Sequence, residues 1–287
     1  MRRPATRSAE GAGDAAVPWL VIDAARGRRA IDLAELWRYR DLLYFLTWRD
    51  LAVRYKQTAL GFLWAIIQPL LCMAVFTVFL GRLAGVPSDG VPYPVFAYLG
   101  LLLWGYFAGA VTRSAASLVG NAHLLTRVYF PRVLVPLAST IAALVDFAIG
   151  FVALAALMAW YGLVPGPAGL AVIPIAAATA ATAAGVGMGL GALNARYRDV
   201  QHALPFLMQL WMFATPVVYP WSLAPERWRP LLALNPLAGF VEAFRAAVLG
   251  RPVDGAALGI AAISAAALIA LGLWQFRRME HAFADTV

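Results

Sequence analysis

The sequence predicts an all-α integral membrane protein with six transmembrane helices, an N-terminal amphipathic interface helix and a re-entrant helical hairpin before the last span. Composition is the first reason, because 62% of the 287 residues are hydrophobic and 13% are charged. Soluble domains carry about 25% charged residues. The second reason is that apolar runs near the spanning length of about 20 residues recur along the chain. The third is the uneven placement of Lys and Arg between those runs, which is typical of a membrane topology.

The N-terminal part divides into a polar tail and a helix that lies on the membrane surface. Residues 1–31 lack the apolar core of a signal peptide and are predicted to be a flexible cytoplasmic tail. Residues 32–58 are predicted to form the interface helix, because aromatic and aliphatic side chains fall on one face at about 100° per residue. A helix of a soluble domain is the alternative, but the tail supplies no core for one. The apolar face contains Leu33, Trp37, Tyr44, Trp48, Leu51 and Tyr55.

The transmembrane domain is predicted over residues 59–276, followed by a cytoplasmic tail at 277–287. Its boundaries follow the apolar runs and the polar or Pro- and Gly-rich links between them. The six predicted spans are about 61–80, 94–118, 133–161, 170–193, 203–219 and 256–275.

The cationic residues indicate the orientation of these spans. Of the 23 Lys and Arg residues, 18 fall on the side that contains both chain termini and five on the other. Cytoplasmic segments carry the excess of Lys and Arg, so both termini are expected in the cytoplasm. The net charge of +8 is therefore explained by topology, and no basic stripe with a nucleic-acid recognition fold accompanies it.

Two segments depart from plain spans. Residues 220–255 are half apolar and are interrupted at Asn235-Pro236, which favours a helical hairpin that re-enters the membrane over a plain external loop. In the fourth span, four glycines at alternate positions allow another helix to approach closely, although the sequence leaves open which one. These glycines are Gly185, Gly187, Gly189 and Gly191.

The chain lacks the motifs of an enzyme or a metal protein. It has no phosphate-binding loop, its single lysine is Lys56, and its three histidines are scattered without a second ligand at i+4. We therefore expect no catalytic residue, no metal site and no cofactor on this chain.

Asp146 is the one acid inside a span, and such a carboxylate is a functional candidate. A hydrogen-bonded packing role is an equally open alternative.

Four stretches, in this order along the chain, are similar to one family of transporters. They are Arg54–Trp64 with Pro69, Asn121–Arg132, Asn194–Val200 and Asn235–Leu237. In these stretches the chain resembles the permease subunits of ABC-type polysaccharide exporters, which move lipid-linked O-antigen, capsule or teichoic acid. The resemblance extends from about Glu35 to the C-terminus.

The resemblance implies a homodimer that pairs with two copies of a separate ATPase, which would hold ATP and Mg. The dimer would enclose a channel for a polysaccharide on a polyprenyl diphosphate carrier. It also implies a short cytoplasmic coupling helix between the second and third spans, whose apolar and cationic side chains suit docking into a groove of the ATPase. A plain linking loop is the alternative. The predicted coupling residues are Asn121, Leu124, Leu125, Arg127, Tyr129, Phe130 and Arg132.

Cations at the cytoplasmic edge can contact the carrier diphosphate or lipid headgroups, although orientation alone would also explain them. They are Arg54, Lys56, Arg196 and Arg198.

Aromatic side chains in the spans can stack on sugars, or belong to the interfacial belt. The candidate channel-lining residues are Trp64, Phe76, Trp104, Tyr106, Trp211 and Tyr219. The rival functions are an ABC permease for drugs or small lipids, and a membrane-embedded glycosyl- or acyltransferase, which would need clustered acids or a His-Asp pair.

Overall fold

The computed structural model describes residues 33–56 and 61–280. The tail predicted over 1–31 and the last part of the C-terminal tail, 281–287, lie outside the described residues. Within the described ranges the regular secondary structure is helical, with no strand. The α-helices are α1 Leu33–Arg38, α2 Arg40–Lys56, α3 Trp64–Phe76, α4 Tyr93–Gly120, α5 Ala122–Arg127, α6 Leu134–Trp160, α7 Val172–Arg196, α8 Val200–Phe213, α9 Arg229–Ala233, α10 Pro236–Leu249 and α11 Gly255–Glu280.

Five helical segments are long and apolar enough to cross a bilayer. They are Gly61–Leu83, Tyr93–Gly120, Leu134–Trp160, Ala168–Arg196 and Gly255–Glu280. A sixth apolar unit is the pair Glu226–Ala233 and Pro236–Leu249, whose axes differ by 98°. The predicted all-α membrane fold, with a sharply bent helix pair before the last span, is thereby confirmed.

One interface helix was predicted over 32–58; in the described part of that range, 33–56, the structure has two helices, α1 and α2, that meet at Tyr39. Trp37 and Tyr44 on this segment are both 71% exposed, and Trp48 is 61% exposed. Leu46 is buried and faces the rest of the protein. The exposed aromatic edge is the surface that the sequence assigns to the headgroup region.

The fifth predicted span, 203–219, is shorter as a helix than the sequence indicates. Helix α8 has 14 residues and ends at Phe213, so it is about 21 Å long at 1.5 Å per residue. The hydrocarbon core of a bilayer is about 30 Å thick. The helix ends because Pro216 disfavours helical geometry at the residue before it and has no N–H to continue the backbone ladder. The remainder of the predicted span, up to Tyr219, is irregular.

Helix α4 is the centre of the fold and α3 lies at its edge. In the most apolar 18-residue window of the span Tyr93–Gly120, 78% of the residues are buried. The large side chains of Tyr98, Leu99, Leu103 and Phe107 are fully enclosed. Helix α3, in contrast, contains no buried residue. A membrane helix can be apolar on all sides, so the sequence pattern alone does not distinguish these two positions.

The glycines of α7 lie on two faces and identify two partner helices. A Cβ atom at Gly185 would lie 2.7 Å from the Cα of Ile269 on α11. A Cβ atom at Gly187 would lie 2.5 Å from the side chain of Ser114 on α4. Helix α7 therefore packs in close contact with α11 on one face and with α4 on the other, as small residues permit.

Candidate functional site

A short exposed segment joins α4 to α6, where the sequence places the coupling helix. Its six-residue helix α5 begins directly after Asn121, whose side-chain amide donates to the carbonyl of Ser117 at 2.8 Å. At its end Arg127 is exposed, and Tyr129, just beyond it, is 66% exposed. The following Pro131 has no backbone N–H to donate, which prevents α5 from continuing into α6 as one helix.

The predicted coupling residues divide into exposed and anchoring side chains. Leu125 and Phe130 are buried, and Leu124 is partly buried, so these residues hold the segment against the protein. Arg132 donates to the backbone carbonyl of Glu280 at the end of α11. A partner protein would therefore meet Arg127 and Tyr129 directly, whereas the buried residues determine how these two are presented.

The loop between α7 and α8 lies at the same end of the bundle as α5. Asn194 near the end of α7 donates from its amide to the carbonyl of Ala115 near the end of α4, at 3.1 Å. Arg196 and Arg198 after it are exposed, and the Arg196 guanidinium lies 5.3 Å from the ring centroid of Tyr197. Lys56, at the end of α2, is exposed as well. These three cations are thus accessible to a ligand from outside the protein.

Asp146 is a junction of three helices. Arg54 on α2 and Arg113 on α4 both approach its Oδ2 atom, Arg113 at 3.4 Å, and the Tyr55 hydroxyl donates to Oδ1. The side chain of Asp146 is 24% exposed, so the carboxylate is shielded but not sealed. Burial, together with the hydrogen bond to Asp146, raises the pKa of Tyr55 to about 12. The sequence assigned Arg54 to headgroup contact and did not identify this pairing.

A second contact fixes α2 along α6. Ser139 donates from its hydroxyl to Oδ2 of Asp50 at 2.8 Å, and Arg49 pairs with the other oxygen at 2.9 Å. Asp50 precedes Arg54 by one helical turn, and Ser139 precedes Asp146 on α6 by about two turns. Two polar contacts at successive levels therefore hold α2 against α6.

At the opposite end, α10 holds the irregular segment that follows α8. Asn235 accepts from the indole N–H of Trp211 at 3.0 Å and donates to the hydroxyl of Thr215 at 2.8 Å. Arg245, which is 3% exposed, donates to the carbonyl of Pro216 at 2.8 Å and also to that of Val217. The Arg245 side chain of α10 therefore satisfies two carbonyls of non-helical backbone, which is a requirement at membrane depth.

Arg245 was not among the residues that the sequence singled out. Its guanidinium carbon lies 3.7 Å from the ring centroid of Phe96 on α4, so both charge and stacking hold it. The available signal was the pair of opposite charges, Glu242 and Arg245, three residues apart on an otherwise apolar 14-residue helix; in the structure they lie 3.6 Å apart.

The candidate channel aromatics have different surroundings. Trp104 and Tyr106 are buried within the chain, at 5% and 4% exposure, so little of either ring is accessible from outside it. The Trp211 ring meets the Trp104 ring edge-on, with centroids 6.3 Å apart. Phe76 is partly buried and Trp64 is 50% exposed.

Tyr219 lines an aromatic cleft of about 350 Å³ together with Phe213 and Trp228. Among the candidate channel residues, Tyr219 therefore lies beside an open space that two further aromatic rings also line. Within the described ranges, no three His, Cys, Asp or Glu side chains are grouped as metal ligands.

Comparison with known proteins places most of the chain in one family. The sequence profile of the ABC-2 type transporter family matches residues 41–249. The chain is 32% identical over 254 residues to the O-antigen export system permease protein RfbA of Myxococcus xanthus, covering 86% of this chain and 96% of that protein. A protein of the same name from Klebsiella pneumoniae is 30% identical over 85% of this chain and 94% of its own length. The polysialic acid transport protein KpsM of Escherichia coli is 25% identical over 82% and 92%.

Proposed function

The chain belongs to the ABC-2 type transporter family, and from this premise we propose that it is the membrane subunit of an ATP-driven exporter of a lipid-linked polysaccharide. The similarity to O-antigen and polysialic acid export proteins over more than four fifths of the chain is the observation that carries the proposal. The substrate is a glycan polymer on a polyprenyl diphosphate carrier. The chain itself acts as a transport subunit and not as an enzyme.

ATP and Mg are bound by a separate ATPase, of which two copies join two copies of this chain. The exposed Arg127 at the end of α5 and the exposed Tyr129 just after it support this arrangement, because Arg and Tyr are enriched among the residues that anchor protein interfaces. Leu125 and Phe130 of the same segment are buried, so a partner that displaced the exposed pair would also move side chains packed inside the protein.

A second copy of the chain completes the channel. No residue of α3 is buried, and α8 exposes Phe206, Leu210 and Phe213 by half or more of their surface. Such large apolar surfaces on helices within the membrane face either lipid or another subunit. In the proposed dimer, Trp64, Phe76, Trp211 and Tyr219 remain the candidates for the channel wall.

The carrier diphosphate meets cations at the inner end of the bundle. Lys56, Arg196 and Arg198 are exposed there, which supports a direct contact with phosphate oxygens. Arg54 is held by Asp146 and contributes through the position of α2. Both termini lie in the cytoplasm and the protein is located in the bacterial inner membrane, in agreement with the excess of Lys and Arg on that side.

Co-expression with the cognate ATPase tests this function. We expect a stable complex whose ATP hydrolysis depends on this subunit, and loss of surface glycan when the gene is deleted. A chain that binds no ATPase, in a strain whose surface glycan survives the deletion, would exclude the proposed role. If the deletion instead abolished the export of a drug or small lipid and left the surface glycan intact, the rival permease function would be supported.

A further inference from the structure

We propose that a cleft formed by α3, α4 and α6 binds an anionic membrane phospholipid, with the lipid phosphate at Arg82 and an acyl chain below it. The cleft has a volume of about 410 Å³ and lies at the end of the bundle opposite α5. This proposal does not depend on which substrate the protein exports.

The cleft is polar at its outer end and apolar further in. Arg82 and Tyr161 line its outer end, beside the ring of Trp160, which is 84% exposed. Met73 and Leu157 line its inner end. Met73 precedes Arg82 by about two helical turns, so the cleft extends on the order of 10 Å along α3. A cation and aromatic rings above an apolar trough match the order of headgroup and acyl chain in one leaflet.

A π-helix explains why Arg82 points into the cleft. The segment Thr77–Leu83 continues α3 with i→i+5 hydrogen bonds, such as the one from the Ala84 N–H to the Phe79 carbonyl at 2.9 Å. This winding places residues five apart on the same face, whereas an α-helix would separate Thr77 and Arg82 by about 140°. Both line the cleft. Short π-helical segments recur at functional sites in proteins.

Thr77 supplies a second polar group. Its hydroxyl oxygen is buried and makes no hydrogen bond within the described residues. Buried polar atoms are normally satisfied, so an unpaired one calls for a partner. Rotation about the Cα–Cβ bond exchanges the hydroxyl with the methyl group, which allows the oxygen to face the cleft and donate to a lipid oxygen.

The surroundings of Arg82 differ from those of Arg229, Arg245 and Arg251 at the same end of the bundle. Arg251 donates to the carbonyl of Asp89 at 2.7 Å, and Arg229 donates to the carbonyl of Ala224 at 3.2 Å. Arg245 is enclosed by carbonyls and Phe96. Arg82 is exposed, and no described carboxylate lies within ion-pair distance of it. A lipid phosphate would therefore find a cation without a competing partner.

Native mass spectrometry of the purified, delipidated protein tests the proposal. The protein is titrated with phosphatidylglycerol or with phosphatidylcholine of the same acyl chains. We expect tighter binding of phosphatidylglycerol, and about five-fold weaker binding of it to the Arg82→Gln variant, from the ~1 kcal/mol typical of one cation at an anionic membrane surface. Arg227→Gln is the matched control, because Arg227 is exposed at the same end but outside the cleft. It should bind phosphatidylglycerol as the parent chain does.

Two further measurements separate the lipid from other occupants. Ala74→Phe places a ring in the inner half of the cleft and should weaken both lipids, which would support an acyl chain there. Equal binding of the two lipids to the parent chain, or equal loss in the Arg82→Gln and Arg227→Gln variants, would overturn the proposal. Tighter retention of a polyprenyl phosphate than of phosphatidylglycerol would also overturn it, because the cleft would then belong to the carrier.

Discussion

Replacing Asp146 with asparagine is the most informative perturbation of the helix junction. The substitution keeps the size of the side chain and removes the negative charge that Arg54 and Arg113 share. Two guanidinium groups would then lie close together beside a neutral amide. Because Arg54 belongs to α2 and Arg113 to α4, we expect α2 to lose part of its attachment to the bundle.

The expected cost follows from the exposure of the three side chains. Removing one partner of a fully buried ion pair costs about 3–5 kcal/mol, whereas exposed pairs contribute about 0.2–1 kcal/mol. Asp146 and Arg54 are each 24% exposed and Arg113 is 35% exposed, so solvent screens the junction in part. We therefore expect Asp146→Asn to lower the free energy of unfolding by about 2 kcal/mol, a value between these limits.

Reversible unfolding in mixed detergent micelles measures this cost. Asp199→Asn is the control, because Asp199 is exposed, and its effect should stay within about 0.5 kcal/mol. A double-mutant cycle between Asp146→Asn and Arg54→Gln should give a coupling of about 1 kcal/mol or more. Additive effects of the two substitutions, or a cost for Asp146→Asn no greater than for the control, would show that Asp146 does not hold α2 through Arg54.

Three other predictions follow from single contacts. The pKa of Tyr55 is raised from 10.0 to about 12, so the contribution of Tyr55 to the free energy of unfolding is complete below pH 10.0 and is lost as the pH rises towards about 12. Tyr55→Phe should therefore make the free energy of unfolding less dependent on pH in that window. An unchanged pH profile of unfolding would contradict the contact between Tyr55 and Asp146. Gly272→Ala should lower the free energy of unfolding by about 1–3 kcal/mol, because the new Cβ would lie 1.9 Å from the carbonyl oxygen of Gly185. Gly259→Ala on the same helix is the control: its Cβ would meet no atom within 4 Å, so it should have no such cost. Arg245→Met should lower the free energy of unfolding by about 3 kcal/mol, because it leaves two backbone carbonyls without donors. Amide hydrogen exchange in residues 214–219 should become faster in this variant. Equal exchange in the variant and the parent protein would show that Arg245 does not hold this segment.

The long helices could be predicted from sequence because a run of about 20 apolar residues has few other structures available in a membrane. The bend at Asn235-Pro236 was predictable for a similar local reason, since the residue before a proline avoids helical geometry. The early end of α8 carried the same signal at Pro216. It was missed because the apolar run continues through Val217 and Val218.

The contacts between helices could not be predicted in this way. Asp146 and Arg54 are 92 residues apart in sequence, and no local pattern connects them. Trp104 and Tyr106 were indistinguishable from exposed aromatics, because helices that are apolar on all sides do not reveal which face meets protein. The small residues of α7 indicated close packing, but only the three-dimensional structure identifies α11 and α4 as its partners.

We propose that an ATPase drives this subunit through the segment after α4. The most direct test is ATP-dependent movement of a lipid-linked glycan across proteoliposomes that contain the subunit and its ATPase, comparing Tyr129→Ala with Tyr197→Ala. Both tyrosines are exposed, at 66% and 54%, and lie at the same end of the bundle. We predict that Tyr129→Ala weakens ATPase binding about ten-fold or more, as for an interface anchor, and slows transport, whereas Tyr197→Ala does neither. Equal behaviour of the two variants, or glycan transport without the ATPase, would contradict the claim.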